Sequence, residues 1–209
     1  MKSITCLCLC AFLFNCSIFA ANNNIKLPKP NLKSNTSIMS ALSNRKSCRS
    51  YSTKNISTQT LSDLLWAASG INRPDGKRTA PSAMNTQNIT IYAAMKNGVY
   101  KYDAKNNILT KILNKDIKAQ IGHQKFLETV PIDLIFVADL SNSKVTDKDQ
   151  MFYSALNTGY ISQNVYLFCA ANSLGTVAVG WVQRDKLLKT LTLNKNQHII
   201  LAQPVGYPK

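Results

Sequence analysis

The segment from Met151 to Ser173 constrains the fold of this chain most, because it is apolar on nearly every side of a helix. Amide side chains interrupt it at only four positions, Asn157, Gln163, Asn164 and Asn172. A helix with apolar residues all round has to be buried, either at the centre of a domain or against a second subunit. The sequence leaves both alternatives open, and Gly175 is expected to end the helix.

Further helices and strands are predicted on both sides of this segment from the spacing of apolar residues. The predicted helices lie near residues 38–44, 60–69, 116–126 and 184–191, and the predicted strands near 89–93, 99–102, 132–138, 176–179 and 198–205. Asn97-Gly98 favours a hairpin turn, Thr60 and Asp63 form a possible capping box, and Gly70 would end that helix. Together these elements predict an α+β domain with a mainly antiparallel sheet and a long, buried central helix.

The first twenty residues are predicted to be a secretory signal peptide. Lys2 supplies a positive start, and residues 4–19 are almost wholly apolar and free of charge. We therefore expect cleavage after Ala20, a polar, extended or mobile lead-in over 21–36, and one folded domain over 37–209. Export, most simply to a periplasm, follows from this interpretation, and an uncleaved membrane anchor is the alternative.

The formal net charge is +15 at pH 7, and 15 − 1 = +14 once Lys2 of the leader is removed. Such a surplus suits nucleic acid, an anionic membrane surface or acidic substrates. The lysines are scattered, however, with no dense block and no interleaved aromatic residues for base stacking. We predict a solvated basic surface and no nucleic-acid partner, and we leave membrane contact open.

Few side chains are suited to metal binding or to acid–base chemistry. Only two histidines, His123 and His198, and ten acidic residues are present. Outside the leader only Cys48 and Cys169 remain, and two buried free thiols are favoured over a disulfide between them. No metal site and no side-chain nucleophile are expected, so a bound cofactor that carries the reaction fits this composition better.

A short basic segment from Arg45 to Arg49 gives the strongest local indication of a ligand. Its two arginines are four residues apart, with Lys46 and Ser47 between them. Guanidinium groups donate paired hydrogen bonds to phosphate oxygens, and a serine hydroxyl adds a neutral donor. This segment, called the basic arm below, is a candidate site for a phosphate monoester, and a solvated basic run is the alternative.

The order of motifs along the chain resembles that of the nitroreductase family, closest to the branch that includes the SagB-type dehydrogenases. The motifs are Arg-x-Ser-x-Arg-x-Tyr from Arg45, then residues 61–70, Arg78-Thr79-Ala80-Pro81-Ser82-Ala83, and residues 98–103, 163–167, 174–180 and 203–208. Each motif is modest alone, whereas the ordered set spans nearly the whole predicted domain. The resemblance implies a nitroreductase-like fold that binds FMN.

The resemblance also implies which residues hold the cofactor. The basic arm, with Arg45, Lys46, Ser47 and Arg49, would bind the FMN phosphate. The other implied contacts are Pro81, Ser82 and Ala83 near the ring and ribityl chain, Asn85 or Gln87 at the ring edge, Gln124 at the pyrimidine side, and Gly180 and Trp181 near flavin N5. Family members are homodimers with FMN at the subunit interface, which would bury the apolar helix.

The implied reaction is ping-pong transfer of a hydride through flavin N5, from a reduced donor such as NAD(P)H to a nitroaromatic, a quinone or another small organic acceptor. No catalytic side chain is implied, because the flavin carries the chemistry. One alternative is a dehydrogenase of an unidentified small or peptide substrate, and another is a non-catalytic exported domain that binds a flavin or other ligand. Since NAD(P)H is scarce outside the cytoplasm, export leaves the donor open.

Three departures from the family pattern concern the site. Trp181 stands where relatives often have a small residue, and Met84 replaces a usual glycine, so both are expected to narrow the substrate slot. The C-terminal basic residues that complete the phosphate clamp in some relatives are absent apart from Lys209. This last departure puts the affinity for FMN in doubt and leaves the expected fold unchanged.

Overall fold

The computed structural model describes residues 24–142 and 144–209, so the predicted signal peptide lies outside the described residues. A sheet with strand order β1-β4-β3-β2-β5-β7-β6 forms the centre of the fold, and each neighbouring pair of strands is antiparallel. The strands are β1 (Ile25–Lys26), β2 (Ile89–Met95), β3 (Gly98–Asp103), β4 (Ile108–Leu113), β5 (Ile132–Asp139), β6 (Gly175–Thr176) and β7 (Gln197–Gly206).

Helices and short 3-10 turns flank the sheet. The α-helices are α1 (Ile38–Asn44), α2 (Thr58–Ser69), α3 (Phe126–Thr129), α4 (Gln150–Ala171) and α5 (Arg184–Thr190). The 3-10 turns are Ala83–Asn85, Lys118–Gln120 and Leu140–Asn142. This arrangement confirms the predicted α+β fold with an antiparallel sheet, and helices α1, α4 and α5 lie close to their predicted positions.

Strand β5 lies inside the sheet and is buried on both of its faces. Leu134 and Phe136 belong to the apolar cluster formed with helices α2 and α4. Ile135 and Val137 belong to a second cluster on the other face, formed with α3, α5 and residues 177–182. A strand that is covered on both faces has consecutive apolar residues rather than alternating apolar and polar ones. This is why strand β5 is predicted so clearly from the sequence.

The predicted hairpin is confirmed, with its turn one residue earlier than the Asn97-Gly98 pair. Met95 pairs with Gly98, so Lys96 and Asn97 form the two-residue loop. Gly98 has φ +138°, and a Cβ atom on it would lie 2.3 Å from the carbonyl oxygen of Leu113 on the next strand. Both the backbone angle and the close approach of β4 require glycine here.

The helix predicted over residues 116–126 is wrong. A 3-10 turn and the start of α3 occupy this stretch instead. The Ile121 carbonyl accepts a hydrogen bond from the Gln183 N–H at 2.9 Å, and Gly122 pairs with Val182. Because this backbone bonds to a segment about sixty residues away, it cannot also complete its own helical turn.

The capping box predicted at Thr60 and Asp63 is also wrong. Helix α2 begins one turn earlier, where Ser57 Oγ accepts a hydrogen bond from the Thr60 N–H at 3.1 Å. Asp63 accepts instead from the Asn31 N–H at 2.7 Å and so fixes the lead-in to α2. Gly70 does end the helix, in an extended conformation with φ −74°.

Strand β1 at the edge of the sheet and its neighbour β4 have no counterpart among the predicted elements. Ile25 pairs with Leu109, and Lys26 pairs with Ile108. Leu27, the next residue, is only 4% exposed and belongs to the core. Of the two alternatives for the lead-in, this part is therefore extended and attached to the sheet.

Helix α4 buries a face that carries many polar residues and exposes one that carries large apolar residues. Ser154, Asn157 and Thr158 are buried against the protein. The exposed stripe consists of Phe152, Leu156 and Tyr160, with 61%, 40% and 48% of each residue exposed. This distribution is the reverse of a solvated helix and favours packing of the stripe against another subunit. No helix in the described ranges is long and apolar enough to cross a membrane.

Candidate functional site

The basic arm runs along the edge of the sheet beside strand β6. The Cys48 N–H donates a hydrogen bond of 2.9 Å to the Thr176 carbonyl oxygen, and Ser47 pairs with Thr176 in a parallel bridge. The arm therefore continues the sheet beyond its last strand. This pairing brings the arm next to the segment that runs from β6 to Gly180, as the sequence predicts.

The C-terminal residues hold the next part of the chain. The Ser52 N–H donates to the Tyr207 carbonyl oxygen at 2.9 Å, and the Lys209 N–H donates to the Ser50 carbonyl oxygen at 3.2 Å. The last residue of the chain is thereby fixed beside the basic arm. Lys209 supplies a C-terminal cation at this place, although the sequence pattern alone left that contribution in doubt.

A cavity of about 690 Å³ opens between the basic arm, the C-terminal end of α4 and the C-terminus of the chain. Lys46, Arg49 and Lys209 line it together with Ser47, and none of its lining residues is acidic. Cationic side chains with no acidic side chain among them create a local positive potential. The cavity is therefore suited to an anionic group such as a phosphate.

Tyr166 on α4 joins the basic arm to the segment after β6. Its hydroxyl oxygen accepts a hydrogen bond from the Ala178 N–H at 2.8 Å and lies 3.3 Å from Ser47 Oγ. The Arg45 guanidinium lies over the Tyr166 ring, 5.4 Å from its centroid, in a cation–π contact. One side chain thus positions two of the predicted phosphate ligands.

Gly180 offers an unpaired backbone donor at the same edge. The preceding residue, Val179, exchanges backbone hydrogen bonds of 2.8 and 3.0 Å with Ala202 on β7. Gly180 is exposed, its N–H has no acceptor among the described residues, and a Cβ atom on it would meet nothing within 4 Å. The space beside the Gly180 Cα atom is therefore open within the protomer.

Trp181 lies beside the loop that carries His123 and Gln124. The Trp181 and His123 rings are 4.6 Å apart between centroids, with an interplanar angle of 35°. Gln124 Oε1 is buried, has no hydrogen-bond partner among the described residues, and would lie 2.6 Å from a Cβ atom on Gly122. The structure thus brings Gln124, Gly180 and Trp181 into one region, and their contacts with FMN stay a prediction.

The loop that contains Pro81, Ser82 and Ala83 is held by a buried polar network. Asn157 on α4 accepts from the Ala83 N–H at 3.0 Å and donates to Asn88 Oδ1 at 3.0 Å. Asn88 in turn donates to Ser154 Oγ at 2.8 Å. Because each of these polar groups has a partner, the network fixes the loop on the helix.

Several residues of this loop adopt the left-handed region that favours glycine. The φ angles are +49° at Met84, +52° at Asn85 and +47° at Gln87. Ser82 Oγ accepts from the Gln87 N–H at 3.0 Å, and Gln87 Nε2 donates to Asn85 Oδ1 at 3.1 Å. Local hydrogen bonds therefore maintain a backbone conformation that costs about 1–2 kcal/mol per residue.

Arg78 supports the loop from behind. Its Nε donates to Gln87 Oε1 at 2.8 Å, and its Nη1 donates to the Ser69 carbonyl oxygen at 2.9 Å. Burial lowers the pKa of this guanidinium, which nevertheless stays charged at physiological pH. Since its amide is engaged by Arg78, Gln87 is poorly placed to contact a cofactor, and Asn85 is the better candidate of the two.

Within one protomer the 81–83 loop and the basic arm lie apart. Asn157, which holds the loop, and Tyr166, which holds the arm, are nine residues apart on α4. That spacing corresponds to about 14 Å along the helix and about two and a half turns, so the two side chains point to opposite sides. The predicted site residues consequently form two groups. Pro81, Ser82, Ala83, Asn85 and Gln87 form one group, and the basic arm with Gln124, Gly180 and Trp181 forms the other.

Sequence reasoning missed the residues that support these two groups. Tyr166, Asn88 and Asn157 make the contacts described above, yet none belongs to the predicted set. Asn157 carried a signal, because a buried amide in an otherwise apolar helix needs partners. Tyr166 carried none, since a tyrosine in an apolar helix is equally suited to plain packing.

The sequence predicts no metal site, and the structure shows where the possible metal ligands and the two cysteines lie. No group of three or more His, Cys, Asp or Glu side chains in the described part of the chain could hold a metal ion. Cys48 and Cys169 are free thiols, and burial raises the pKa of Cys169. Of the two, Cys169 is buried as expected, whereas Cys48 is half-buried at the wall of the cavity.

Comparison with known proteins identifies relatives of this chain. The model of the nitroreductase family matches residues 42–207. A provisionally named nitroreductase of Methanocaldococcus jannaschii is 30% identical over 173 residues, which are 78% of this chain and 86% of that protein. An FMN reductase [NAD(P)H] of Bacillus subtilis strain 168 is 21% identical over 186 residues, covering 82% of this chain and 66% of that protein.

A solved structure shows the same similarity in three dimensions. The crystal structure of a provisionally named nitroreductase from Ralstonia eutropha JMP134 superposes with a TM-score of 0.85 at 36% identity. The match covers 89% of this chain and 90% of the other. Element order and sheet topology are therefore shared along nearly the whole length of both proteins.

Proposed function

Since this chain belongs to the nitroreductase family, we propose that it is an FMN-dependent oxidoreductase that passes a hydride from NAD(P)H to a nitroaromatic, a quinone or another small organic acceptor. Membership makes a flavin oxidoreductase the general class. The cofactor, the donor and the acceptor in this statement are the proposal. Bound FMN would supply the redox chemistry through its N5 atom, and the residues of the chain would bind and orient it.

The observation that carries the proposal is the pairing of the basic arm with the strand that leads to Gly180. Cys48 and Thr176 are joined by a backbone hydrogen bond of 2.9 Å, and Tyr166 contacts both segments. The basic arm and the unpaired Gly180 N–H are therefore held in a fixed position relative to each other. FMN would need both, because the arm would bind its phosphate end and the N–H would face its ring end.

The donor set at the phosphate end fits FMN chemically. Ser47 and Arg49 line the cavity and would donate to the phosphate oxygens, with Lys46 and Lys209 adding positive charge. Arg45 is not part of the cavity lining; its guanidinium lies over the Tyr166 ring and would have to turn toward the ligand to donate as well. Hydrogen bonds between charged partners contribute about 1.5–3 kcal/mol each, so this set suits a dianionic ligand.

The ring end fits as well. The open space beside Gly180 admits a flat ring, and its exposed N–H would donate to the ring edge. Gln124 has a buried Oε1 without a partner, and a ring N–H would satisfy it once the side chain rotates toward the ligand. A buried acceptor without a partner costs about 1–3 kcal/mol, and a bound ligand would remove that cost.

We further propose that the protein works as a homodimer, with a cofactor site completed by both protomers. The Pro81–Ala83 loop lies on the opposite side of α4 from the basic arm, so one protomer cannot bring both groups to one ligand. Packing of the exposed stripe on α4 against a second copy would place the loop of one protomer near the arm of the other. The apolar stripe gives such a contact its driving force.

The compartment remains a proposal from the sequence, because the leader lies outside the described residues. We propose export through the signal peptide at residues 1–20, which places the enzyme where NAD(P)H is scarce. Cell fractionation with detection of the mature N-terminus tests this. A cytoplasmic protein that keeps residues 1–20 would contradict export and would remove the difficulty over the donor.

The central experiment is spectroscopic. The purified mature protein should be yellow, show a flavin absorption spectrum and release FMN on denaturation. Under anaerobic conditions NADH or NADPH should bleach the spectrum, and menadione should restore it. A colourless protein that does not bind added FMN would contradict the proposal. A yellow protein that neither nicotinamide bleaches would keep the flavin and refute the donor.

The phosphate assignment has its own test. Arg45→Ala combined with Arg49→Ala should weaken FMN binding by several kcal/mol, because each charge-assisted contact contributes about 1.5–3 kcal/mol. Lys96→Ala, an exposed lysine in the β2–β3 turn, is the matched control and should leave the affinity unchanged. Titration of the apoprotein with FMN, followed by flavin fluorescence, measures both. Equal affinity for the double variant and the control would refute the assignment.

A further inference from the structure

Trp181 is a large aromatic residue that lies mostly in solvent while its position is fixed. It is 68% exposed, whereas most large apolar side chains on β5 and β7 are buried. An exposed indole forgoes the stabilisation that burial would give. A ring kept rigid and accessible is the arrangement expected of a ligand contact.

The backbone on both sides of Trp181 explains its fixed position. The Val182 N–H donates to the Gly180 carbonyl oxygen at 3.1 Å, which closes a three-residue turn with Trp181 at its tip. Gly122 pairs with Val182, and Gln183 Nε2 donates to the Gly122 carbonyl oxygen at 3.0 Å. The turn is thus bonded to the neighbouring loop, and it cannot swing away without breaking these bonds.

His123, on that neighbouring loop, packs against the indole. The two ring centroids are 4.6 Å apart at an interplanar angle of 35°. The exposure of Trp181 shows that His123 covers only part of the ring. An aromatic ligand could therefore stack on the remaining surface in the offset geometry that aromatic pairs prefer.

Trp181 directly follows Gly180, whose N–H the proposed function assigns to the flavin. Residues 120–126 and 179–184 contain no Asp or Glu, so neither segment adds a negative charge beside the indole. The electron-rich indole favours an electron-poor partner ring. Nitroaromatic and quinone acceptors are flat and electron-poor, which a metal complex such as ferricyanide is not.

We infer that Trp181, backed by His123, is a specificity-determining platform that binds the flat, electron-poor ring of the acceptor by stacking. This inference rests on the proposed function and names the substrate class of the same site. Trp181 positions the acceptor, and no proton or electron is transferred through it. The resulting enzyme prefers aromatic acceptors over acceptors without a ring.

Two substitutions separate stacking from simple bulk. Trp181→Leu keeps an apolar side chain and removes the aromatic face, whereas Trp181→Phe keeps an aromatic face. The readout is the ratio of kcat/KM for menadione to kcat/KM for ferricyanide, which cancels differences in flavin loading. We expect the ratio to fall about 2- to 12-fold in Trp181→Leu, as an aromatic contact of about 0.5–1.5 kcal/mol implies, and to recover in Trp181→Phe.

A binding measurement tests the same contact without turnover. Trp66 and Trp181 are the only tryptophans in the chain. In a Trp66→Phe background the emission comes from Trp181 alone, and menadione should quench it saturably. In Trp181→Phe the emission comes from Trp66 alone. This variant is the control for the light that menadione itself absorbs, and its emission should show no saturable quenching.

The outcomes distinguish failure of the stacking role of Trp181 from failure of the proposed oxidoreductase function. Ile112→Ala, which removes an exposed apolar side chain on β4, is the control and should leave the kinetic ratio unchanged. A yellow, reducible protein with the same ratio in Trp181→Leu and wild type, and without saturable quenching of Trp181, would overturn the platform alone. A colourless protein would overturn the proposed function, and absence of saturable quenching there would overturn the platform as well.

Discussion

The Tyr166 hydroxyl oxygen accepts a hydrogen bond of 2.8 Å from the Ala178 backbone N–H, which ties helix α4 to the segment that leads to Gly180. The same oxygen lies 3.3 Å from Ser47 Oγ in the basic arm. Two regions more than one hundred residues apart in the chain therefore share one anchor. The position of the arm relative to Gly180 depends on this anchor and on the backbone pairing of Ser47 with Thr176.

Tyr166→Phe should weaken FMN binding modestly. The phenyl ring still lies beneath the Arg45 guanidinium, so only the hydroxyl is removed and the Ala178 N–H loses its acceptor. Loss of one such hydrogen bond costs about 0.5–1.5 kcal/mol, which corresponds to about 2- to 12-fold in the dissociation constant. Fluorescence titration with FMN measures it. Lys96→Ala, outside both the basic arm and the exposed stripe on α4, is the control, and equal affinities of the two variants would contradict the anchor.

Asn157→Leu should destabilise the protein and loosen the 81–83 loop. The change leaves the Ala83 N–H without its acceptor and removes the shorter of the two hydrogen bonds to Asn88 Oδ1, which keeps only the Thr86 hydroxyl at 3.5 Å. An unsatisfied buried polar group costs about 1–3 kcal/mol. We expect the free energy of unfolding to fall by about 2 kcal/mol or more. Urea unfolding followed by circular dichroism measures this loss. Gln163→Leu replaces an exposed amide of the same helix and should stay within about 0.5 kcal/mol of wild type.

Leu156→Lys should convert the proposed homodimer to monomers. A lysine in the centre of the exposed stripe on α4 would meet the apolar surface of the second copy and would have to lose its hydration. Ile112→Lys, at an exposed apolar position on β4, should leave the dimer intact. Analytical ultracentrifugation at several concentrations distinguishes the two species. A wild-type protein that sediments as a monomer at every concentration would contradict the homodimer.

The loss of the dimer should also affect the cofactor. If the loop of one protomer completes the site of the other, the Leu156→Lys monomer should retain the phosphate donors and lose the ring contacts of the loop. We expect weaker FMN binding together with the change in mass. A monomer that binds FMN as tightly as wild type would show that one protomer holds the whole site.

The elements that the sequence predicts well are those whose signal is local. Strand β5 and helix α4 are long and apolar, and the α5 helix has regular spacing, so burial and periodicity are enough to find them. The stretch 116–126 has similar spacing but is not a helix, because Gly122 and Ile121 bond to residues 182–183 far along the chain. Strand β1 is two residues long and exists only because β4 lies beside it.

The site follows the same division. The residue types and spacing of Arg45, Ser47 and Arg49 favour a phosphate donor set, and this assignment stays a prediction. By contrast, the separation of the 81–83 loop from the arm depends on which face of α4 packs against the sheet, and that is decided by tertiary contacts. Tyr166 could not be distinguished from a packing residue, since its partners, Ser47 and Ala178, come from two other segments.

Asp133 gives a prediction about pH. It lies on β5 between Ala94 of β2 and Pro204 of β7, is fully buried, and neither carboxylate oxygen has a hydrogen-bond partner among the described residues. Burial raises the pKa of Asp133 well above its usual value, opposed by the attraction of the Lys118 ammonium. That ammonium is already engaged, because it donates to the Val130 carbonyl at 3.0 Å.

The sign of the effect follows from this raised pKa. The folded protein keeps a proton on Asp133 at pH values where the unfolded chain, with an ordinary aspartate pKa of about 3.9, has released it. The free energy of unfolding should therefore fall as pH rises from about 4 through the folded-state pKa, by up to about 1.4 kcal/mol per pH unit. Asp133→Asn cannot ionise and should lack this component of the pH dependence.

Urea unfolding of wild type and Asp133→Asn at several pH values between 5 and 8 measures the difference. We expect the free energies of unfolding of the two proteins to diverge with rising pH in favour of the Asn variant. Only wild type must either keep Asp133 protonated, which becomes more costly as pH rises, or bury its charged carboxylate. Asp185→Asn, an exposed carboxylate at the start of α5, should run parallel to wild type over this range. Parallel curves for Asp133→Asn and wild type would mean that Asp133 is ionised and solvated in the folded protein, which its complete burial argues against.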